Sequence, residues 1–374
     1  MNTFHPPFLN EVRRRIGLKK YKNVKQFVVQ HLYPDTLRLL LLLHEYIPIS
    51  VVVSISYSGS DEVIEALRNK GIKVVTPDFD TLDTVIINEL KNCFKACETE
   101  KHQLLIHEVG GYTIRILHEF FDTYLHHVIG AVEVTKQGVW EARKLKKLKI
   151  PQLNCAETKL KEIEGKMVGE SVVASLDYIL RDIGYAMVGR KACVFGYGWV
   201  GSGVAHSLRA RGMAVTVYDT DVIKLVEAAV NGFQVLKSTS DVGTYSVIIG
   251  ASGTLSISKN VIDGASSRCF LVSGSSKDKE IDLTYLKSQQ KETRAIHRHI
   301  NNHILKDGRQ ILLVNEGYPV NFTGSSVPDE IVEFLFAELI ILIKVLLEET
   351  PSPGIYPLDK ELEKIPATVW LEMR

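Results

Sequence analysis

The chain contains 374 residues, which is long enough for two domains that each bury a core. Its formal net charge is +1 with 24% charged residues, so electrostatics give no reason to expect nucleic acid or an anionic membrane as a partner. The five cysteines are an odd, scattered set, which favours a reducing cytoplasm over a disulfide framework. Residues 1–20 contain no apolar segment, so we expect no signal peptide and a cytoplasmic location.

Alternating helices and strands are predicted up to about residue 155. Residues 1–48 look helical, and the β-branched run after Pro48 predicts a strand over Ile49–Ile55. The elements predicted next are helix 61–69, strand 72–75, helix 82–97, strand 103–107, a helix opened by Gly110-Gly111, strand 127–134 and helix 139–148. This alternation is typical of a parallel sheet that binds ligands at the carboxyl ends of its strands.

The stretch from 191 to 221 carries the most specific motif. The elements predicted around it are helix Lys166–Ile183, strand Ala192–Phe195, helix Val200–Arg211 and strand Ala214–Tyr218. The pattern Gly-x-Gly-x-x-Gly follows the first strand, at Gly196, Gly198 and Gly201, and Asp219 closes the second strand. Such glycines permit a tight turn, the approach of a pyrophosphate, and close packing of helix on strand. The pattern predicts bound NAD, with Asp219 repelling the 2′-phosphate of NADP; a glycine-rich turn without a ligand is the alternative.

The chain continues to alternate after Asp219. The predicted elements are a helix from Val222, strand Tyr245–Gly250, a turn at Ala251–Gly253, helix Ser258–Asp263 and strand Arg268–Ser273. An Asp-Gly turn at 306–308 predicts a hairpin between Thr293–His303 and Arg309–Asn315. The first of these strands carries His297, His299 and His303. His297 and His299 share a face of the strand, but no third ligand converges with them, so we predict no metal site.

Residues 330–349 are apolar enough to raise the question of a membrane span. Glu333, Glu338 and Lys344 interrupt this stretch and would each be costly in lipid, so we expect a buried core helix or a helix at a subunit interface. A tail from Pro351 closes the chain. The predicted fold is α/β, with a substrate-like domain over 1–160, a Rossmann-type NAD-binding domain over 161–325, and a C-terminal helix and tail over 326–374 that return to the first domain.

The order of these motifs resembles the S-adenosylhomocysteine hydrolase family. The matching segments are Gly110-Gly111, Gly196–Gly201, Asp219-x-Asp221, Ala228–Phe233, Glu280–Asp282, Ile311–Leu313, Glu316-Gly317 and Val320-Asn321. The resemblance implies a tightly bound NAD that oxidises a ribose 3′-hydroxyl, loss of the 4′ proton and of a thiol, addition of water, and return of the hydride. We expect a homo-oligomer, either a dimer or a tetramer.

The resemblance also implies NAD contacts around and beyond the glycine turn. These predicted contacts are Trp199, Val200, Thr135, Ala251, Ser252, Gly253, Ser276 and Asn321. Asn321 carries the closest match, because the Val-Asn pair is shared with the family.

Other positions depart from the family's pattern. The adenine-side motif His-x-Thr-x-Glu falls on Ile55, Tyr57 and Gly59. The acidic pair before Gly-Gly becomes Glu108-Val109, and of a later pair of glutamates Glu133 is kept while the second is Val134. Abstraction of a proton from carbon needs a base and a matching acid. We therefore expect the NAD domain to be kept and the substrate chemistry to be changed.

Three residues are candidate catalytic groups: Lys159, His107 and Glu133. Lys159 follows the Asn154–Glu157 segment that should lead from the sheet to the cleft, where burial would favour a neutral amine that could act as a base. Lys161 lies close by, and the resemblance does not decide between the two lysines. The plainer interpretations are a solvated helix lysine for Lys159 and a satisfied strand-end histidine for His107.

Three functions follow from this pattern. The first is an NAD-dependent, oxidoreductase-type enzyme for a small polar substrate other than S-adenosylhomocysteine. The second is a catalytically silent NAD-binding protein that regulates or scaffolds a partner, and the third is hydrolysis of S-adenosylhomocysteine itself. The missing acid–base groups speak against the third.

Overall fold

The computed structural model describes residues 8–275, 279–324 and 326–374, without the side chains of Ser56, Tyr57 and Phe79. The helices are α1 Phe8–Ile16, α2 Pro34–Tyr46, α3 Asp61–Asn69, α4 Leu82–Glu100, α5 Tyr112–Phe120, α6 Lys136–Arg143, α7 Lys159–Asp182, α8 Trp199–Ala210, α9 Val222–Val230, α10 Lys259–Gly264, α11 Leu283–Gln289, α12 Asp329–Glu349 and α13 Lys360–Glu372. The strands are β1 Val24–Leu32, β2 Ile49–Gly59, β3 Val74–Val75, β4 Gln103–Glu108, β5 Val128–Glu133, β6 Pro151–Asn154, β7 Lys191–Phe195, β8 Ala214–Tyr218, β9 Gln234–Val235, β10 Val247–Gly250, β11 Cys269–Ser273, β12 Gln290–His297, β13 Ile300–Leu305, β14 Gln310–Val314 and β15 Gly354–Pro357.

The chain divides into two compact units. The first contains the residues up to 161 together with 329–374, and the second contains residues 162–328. Each unit has its own sheet of mainly parallel strands with helices on its faces, which is the α/β class expected from the alternation of elements.

The sheet of the first unit has the order β15-β6-β5-β4-β1-β2-β3, and every neighbouring pair is parallel. The strand order reverses between β1 and β4, since the chain runs outward from β1 in one direction and from β4 in the other. Ligands of doubly wound sheets bind at the carboxyl ends of the strands beside such a reversal. The ends of β1 and β4 are therefore the place to look for a substrate site.

The expectation that residues 1–48 are helical holds for α1 and α2 but is wrong for the segment between them, which contains β1. β1 lies at the centre of the sheet, where Val28 pairs with Val52 of β2 and with His107 of β4. Its residues are almost all buried, and its valines and Phe27 suit a strand that is covered on both faces. The run of leucines from 37 to 43 belongs to α2 alone.

The C-terminal part of the chain contains a strand and a helix where only a tail is predicted. Helix α12 is buried along most of its length, and Leu346 packs against Gly130 of β5. Beyond it, β15 extends the first sheet beside β6, and α13 places Trp370 against Phe334 of α12 at 5.3 Å between ring centroids. Of the two expectations for the apolar stretch, the core helix is the one observed. Among the described residues, no helix is both long and apolar enough to cross a membrane.

The sheet of the second unit has the order β12-β13-β14-β11-β10-β7-β8-β9, and the strand order reverses between β7 and β10. Alternate residues of β10 face opposite sides, so that Ile249 joins an apolar cluster with Val172 of α7, and Ile248 joins one with Val261 of α10. The sheet is thus buried on both faces, as the continuous apolar runs of β7, β10 and β11 require.

The predicted hairpin in the second unit is a three-stranded meander. β13 and β14 are antiparallel around the turn at 306–308, but the segment expected as one strand over 293–303 is split between β12 and β13. His297 ends β12, His299 lies in the turn, and His303 lies in β13. Within the described ranges, no group of three or more histidine, cysteine or acidic side chains could hold a metal ion.

Candidate functional site

The glycine turn at the end of β7 is tightly packed on one side and open on the other. Gly196 has φ +98°, and a Cβ there would lie 2.6 Å from the Ala251 carbonyl oxygen. A Cβ on Gly201 would lie 1.9 Å from the Gly196 carbonyl oxygen. A Cβ on Gly198 would meet no protein atom within 4 Å. Two glycines therefore serve the packing of the turn, and the third leaves room for a ligand to approach the backbone.

Helix α8 begins directly after Gly198, with Trp199 and Val200 in its first turn. Gly198 is the N-cap residue and provides no side chain to bond the first N–H groups of the helix. These groups and the helix dipole create a site for an anion such as a pyrophosphate.

Asp219 lies next to the glycine turn. Its carboxylate accepts hydrogen bonds from the backbone N–H of Tyr197 at 2.6 Å and from that of Asp221 at 2.9 Å. Each carboxylate oxygen has a second lone pair, so Asp219 can still accept bonds from ribose hydroxyls. Its place at the end of β8 is where a Rossmann domain reads the adenosine ribose.

The turn after β10, Ala251–Gly253, is held by a buried carboxylate that the sequence analysis did not assign to the site. Glu280 Oε1 accepts hydrogen bonds from the backbone N–H of Ser252 and of Gly253, both at 2.6 Å, and from the Ser275 hydroxyl at 2.5 Å. Glu280 Oε2 accepts a bond from the Ser252 hydroxyl at 2.9 Å. Glu280 therefore fixes the turn on the β10 side of the strand reversal, opposite Gly196. The Glu280-Ile281-Asp282 match to the family was the available signal.

Two more of the predicted NAD contacts belong to the second unit. Asn321 is buried, and its side-chain amide donates a hydrogen bond to Ser326 at 3.3 Å. Ser276 lies outside the described residues. The turn, the helix end and Asp219 together fit NAD, and NAD is the cofactor that the fold of the second unit supports.

Thr135, another predicted NAD contact, belongs to the first unit and is held by Glu133. The buried Glu133 carboxylate accepts hydrogen bonds from the backbone N–H of Gly110, Gly111, Val134 and Thr135, at 2.8 to 3.1 Å. It also accepts one from the Thr135 hydroxyl at 2.7 Å. Burial raises the pKa of Glu133, while these hydrogen bonds favour the ionised form. The carboxylate joins two loops and has little capacity left for proton transfer.

Glu108 also accepts hydrogen bonds from backbone N–H groups. Its carboxylate accepts hydrogen bonds from the backbone N–H of Thr113 at 2.6 Å and of Ile114 at 3.2 Å, in the first turn of α5. Burial raises the pKa of Glu108, and the nearby Glu133 carboxylate adds to the rise. The positions after these two acids are Val109 and Val134, both buried and unable to transfer a proton.

The structure places His107 in the core of the first unit. It lies within β4 and is fully buried, and neither ring nitrogen has a hydrogen-bond partner among the described residues. Burial lowers the pKa of His107 to about 4, so the ring is neutral near pH 7. The ring thus lies in the core, one residue before the end of β4, and its role as a catalytic group stays a prediction.

Lys159 and Lys161 have different surroundings at the start of α7. Lys159 is exposed, so the burial expected for it is not observed. Lys161 lies close enough to His31, Cys155 and Glu338 for its charge to act on their ionisation. Of the two lysines, Lys161 is the one that faces buried polar groups.

Comparison with known proteins agrees with the geometry of the second unit. Residues 168–327 match the family described as S-adenosyl-L-homocysteine hydrolase, NAD binding domain. An adenosylhomocysteinase of Thermotoga maritima is 30% identical over 322 residues, which cover 84% of this chain and 78% of that protein. The chain belongs to the adenosylhomocysteinase family.

Other relatives extend this match. An adenosylhomocysteinase of Pyrococcus abyssi is 26% identical over 375 residues, which cover 98% of this chain and 87% of that protein. An S-inosyl-L-homocysteine hydrolase of Methanothermobacter thermautotrophicus is 29% identical over 286 residues, which cover 72% of this chain and 68% of that protein. The family therefore includes proteins named for two different nucleoside thioethers.

A polar cluster that sequence reasoning missed lies at the carboxyl end of β1. His31, Tyr33 and Asp35 carry an imidazole, a hydroxyl and a carboxylate at the spacing of the family's His-x-Thr-x-Glu motif. The predicted place of that motif is Ile55, Tyr57 and Gly59. Ile55 is buried within β2, whereas His31 and Tyr33 lie at the β1 end beside the strand reversal. The motif therefore matches this chain better at His31, Tyr33 and Asp35.

Burial sets the ionisation of this cluster. It lowers the pKa of His31 to about 4, with the Lys161 ammonium adding to the shift, and the His31 ring is hydrogen-bonded to the Ser58 hydroxyl. Burial raises the pKa of Tyr33 to about 12 and also raises the pKa of Asp35. At neutral pH the cluster thus presents a neutral imidazole and a phenol, which bind by hydrogen bonding, beside the Lys161 ammonium.

The start of α7 is held by groups from the C-terminal part of the chain. The Thr158 hydroxyl accepts a bond from the Lys161 N–H at 3.1 Å and lies 3.1 Å from Glu338 Oε2. Glu363 of α13 accepts bonds from the N–H of Lys159 at 2.6 Å and from that of Leu160 at 3.0 Å. These contacts, which no local sequence pattern reveals, fix the turn that carries Lys161.

Proposed function

We propose that this protein is an NAD-dependent enzyme that acts on a small, hydroxyl-bearing polar substrate other than S-adenosylhomocysteine. The glycine turn, the α8 N-terminus and Asp219 would hold the cofactor. NAD supplies a hydride acceptor for a carbon that bears a hydroxyl.

The observation that carries the proposal is the pair of valines next to the buried acids. The family reaction, as its resemblance implies, removes a proton from carbon and so needs a base and a matching acid. Here Val109 and Val134 stand at positions where the family has carboxylates, and the remaining acids, Glu108 and Glu133, hold backbone N–H groups. This arrangement supports loss of the proton-abstraction step rather than loss of NAD.

Polar groups remain for binding a substrate at the carboxyl edge of the first sheet. The neutral ring of His31 can accept or donate one hydrogen bond, and Lys161 can donate to an oxygen. Tyr33 adds a hydroxyl, and its raised pKa keeps that hydroxyl protonated at neutral pH. These groups favour hydroxyl and ring-nitrogen recognition over an apolar ligand.

Two other functions are supported by specific observations. The His31-x-Tyr33-x-Asp35 motif and the names of the relatives favour hydrolysis of S-adenosylhomocysteine or S-inosylhomocysteine. The loss of carboxylates at Val109 and Val134 also supports a catalytically silent NAD-binding protein. The absorbance of the bound cofactor, together with release of a thiol, distinguishes these alternatives.

The test uses purified NAD-loaded protein mixed with a panel of polyols, nucleosides and both nucleoside thioethers. The bound cofactor is followed by its NADH absorbance, and the Gly198→Val variant, which should hold no NAD, gives the background. The proposal expects reduction of the cofactor with at least one hydroxyl-bearing compound and no thiol release. No reduction with any class would favour the silent alternative, and thiol release from either thioether would favour hydrolysis.

A further inference from the structure

Glu338 on α12 is a fully buried acid with few hydrogen-bond donors around it. Its Oε2 lies 3.1 Å from the Thr158 hydroxyl, and its Oε1 has no hydrogen-bond partner among the described residues. The equally buried Glu133 differs, because it accepts bonds from four backbone N–H groups and a hydroxyl. Burial without such donors disfavours an ionised carboxylate, so the surroundings of Glu338 favour the neutral acid.

The Thr158 hydroxyl fits a neutral Glu338. It stands just before α7 and accepts the Lys161 N–H at 3.1 Å, as an N-cap does. The same oxygen lies 3.0 Å from the Cys155 carbonyl oxygen, but a hydroxyl has only one hydrogen to donate. A protonated Glu338 would donate to Thr158, which would donate to Cys155, so each bond would have its own hydrogen. With an ionised Glu338, the single hydrogen of Thr158 would have to serve two acceptors.

The other ionisable groups near Glu338 leave this reading intact. The Cys155 thiol is a weak donor and lies 4.0 Å from the Glu133 carbonyl oxygen. Burial raises the pKa of Glu338 to about 8, the Glu363 carboxylate of α13 adds to the rise, and the Lys161 ammonium opposes it. Hydrogen-bond geometry and electrostatics therefore both favour a protonated Glu338 at pH 7.

We infer that Glu338 is a positioning residue that works as a neutral acid: through Thr158 it holds the turn that carries Lys161, and it leaves the charge of Lys161 uncompensated on the side of His31. The Lys161 charge acts on His31 of the proposed substrate cluster. If Glu338 ionises in alkaline solution, its carboxylate stabilises the Lys161 ammonium. The inference rests on the proposed function only for the use of Lys161 at the substrate site.

Infrared spectroscopy tests the ionisation state of Glu338, because a protonated carboxylic acid has a carbonyl band that a carboxylate lacks. We expect this band in the difference between wild type and Glu338→Gln at pH 7, and we expect it to disappear with a midpoint at about pH 8. Glu338→Gln should keep its thermal stability at pH 7, because the neutral amide can donate to Thr158. Glu292→Gln, on exposed β12, should give no such band. Absence of the band for Glu338 would overturn the inference.

A second measurement follows the Lys161 amine. Isotope-labelled methyl groups on the lysine amines allow titration by NMR, and the signal lost in Lys161→Arg identifies Lys161. In Glu338→Gln the proton affinity of Lys161 should fall about tenfold, because no carboxylate forms beside it. Linkage requires the reciprocal effect, so the Glu338 infrared band should persist to higher pH in Lys161→Met. An unchanged midpoint in either variant would overturn the inference.

The rate of cofactor reduction provides the functional readout. With a compound that reduces the bound cofactor, the pH dependence that Lys161 gives to the rate should move to lower pH in Glu338→Gln, by the same factor as the titration of Lys161. A merely structural role for Glu338 would lower the rate at every pH without this movement, and that result would overturn the inference. If no compound reduces the cofactor, the proposed reaction fails, whereas the infrared and NMR titrations still decide the role of Glu338.

Discussion

The carboxylate of Asp219 accepts a 2.6 Å hydrogen bond from the backbone N–H of Tyr197. This bond connects the end of β8 to the glycine turn at the end of β7. The residue that would read the ribose and the turn that would hold the pyrophosphate are therefore positioned together, and a change at Asp219 should affect affinity and cofactor choice at once.

Asp219→Asn removes the negative charge and keeps an oxygen for the Tyr197 amide. We expect NAD to bind about tenfold more weakly, a loss of about 1.4 kcal/mol. NADP should bind relatively better, because the charge that repels its 2′-phosphate is gone. Calorimetric titration with both cofactors measures this. The control is Asp221→Asn, which keeps a side-chain cap for α9. Equal losses of affinity for NAD and NADP in the Asp219 variant would contradict the role of Asp219 in cofactor choice.

Gly198→Val separates ligand space from protein packing. A Cβ at Gly198 meets no protein atom within 4 Å, so thermal stability should change little, while the branched side chain should block the pyrophosphate and abolish NAD binding. Gly201→Ala is the matched contrast. Its Cβ would lie 1.9 Å from the Gly196 carbonyl oxygen, so this variant should lose stability itself. Thermal denaturation with and without NAD checks both, and NAD-dependent stabilisation of Gly198→Val would contradict the assignment.

Glu280→Gln tests the carboxylate that holds the Ala251–Gly253 turn. The amide NH₂ of glutamine would face donors that now bond to the carboxylate, so we expect a loss of about 2–3 kcal/mol in the free energy of unfolding. NAD affinity should fall as well, because the turn lies opposite Gly196. Urea denaturation measures the first effect. Glu292→Gln, on the exposed strand β12, should cost almost nothing, and similar losses for the two variants would exclude a special role for Glu280.

His107 should make stability depend on pH below neutrality. Burial lowers its folded pKa to about 4, whereas an unfolded histidine has a pKa of about 6.5. Between these values the unfolded chain binds the proton and the folded chain does not, so stability is complete above about 6.5 and falls as pH is lowered towards 4. The loss from this residue amounts to about 3 kcal/mol over the window.

His107→Leu should remove that part of the pH dependence. Its cost at pH 7 should be below about 1 kcal/mol, because neither ring nitrogen has a hydrogen-bond partner in the described chain. Denaturation midpoints at several pH values between 4 and 7 provide the measurement. The residual slope should come partly from His31, whose pKa is lowered in the same direction. A variant whose slope equals that of the wild type would show that His107 is not the titrating group.

The NAD half of the fold could be predicted because its signals are local. Gly196, Gly198 and Gly201 stand between a short apolar strand and a helix, and Asp219 follows the next strand, so each part identifies its neighbour along the chain. The family match over 168–327 confirms that prediction.

The substrate half was harder to predict, for a physical reason. β1 is buried on both faces, so its sequence lacks the alternation of polar and apolar residues that marks a strand. Because β1 is not predicted, the sequence analysis assigns the His-x-Thr-x-Glu motif to Ile55 instead of His31. Glu280, Glu133 and Glu363 bond to backbone N–H groups that are distant in sequence, and periodicity carries no information about such contacts.

The most direct measurement mixes NAD-loaded protein with S-adenosylhomocysteine and quantifies free thiol over one turnover and over many. Val109 and Val134 replace one carboxylate of each acidic pair, and Glu108 and Glu133 are occupied by backbone N–H groups, so we predict no thiol above the background of Gly198→Val. Thiol release in proportion to the enzyme, or repeated turnover, would contradict the account and show that this chain hydrolyses the nucleoside thioether after all.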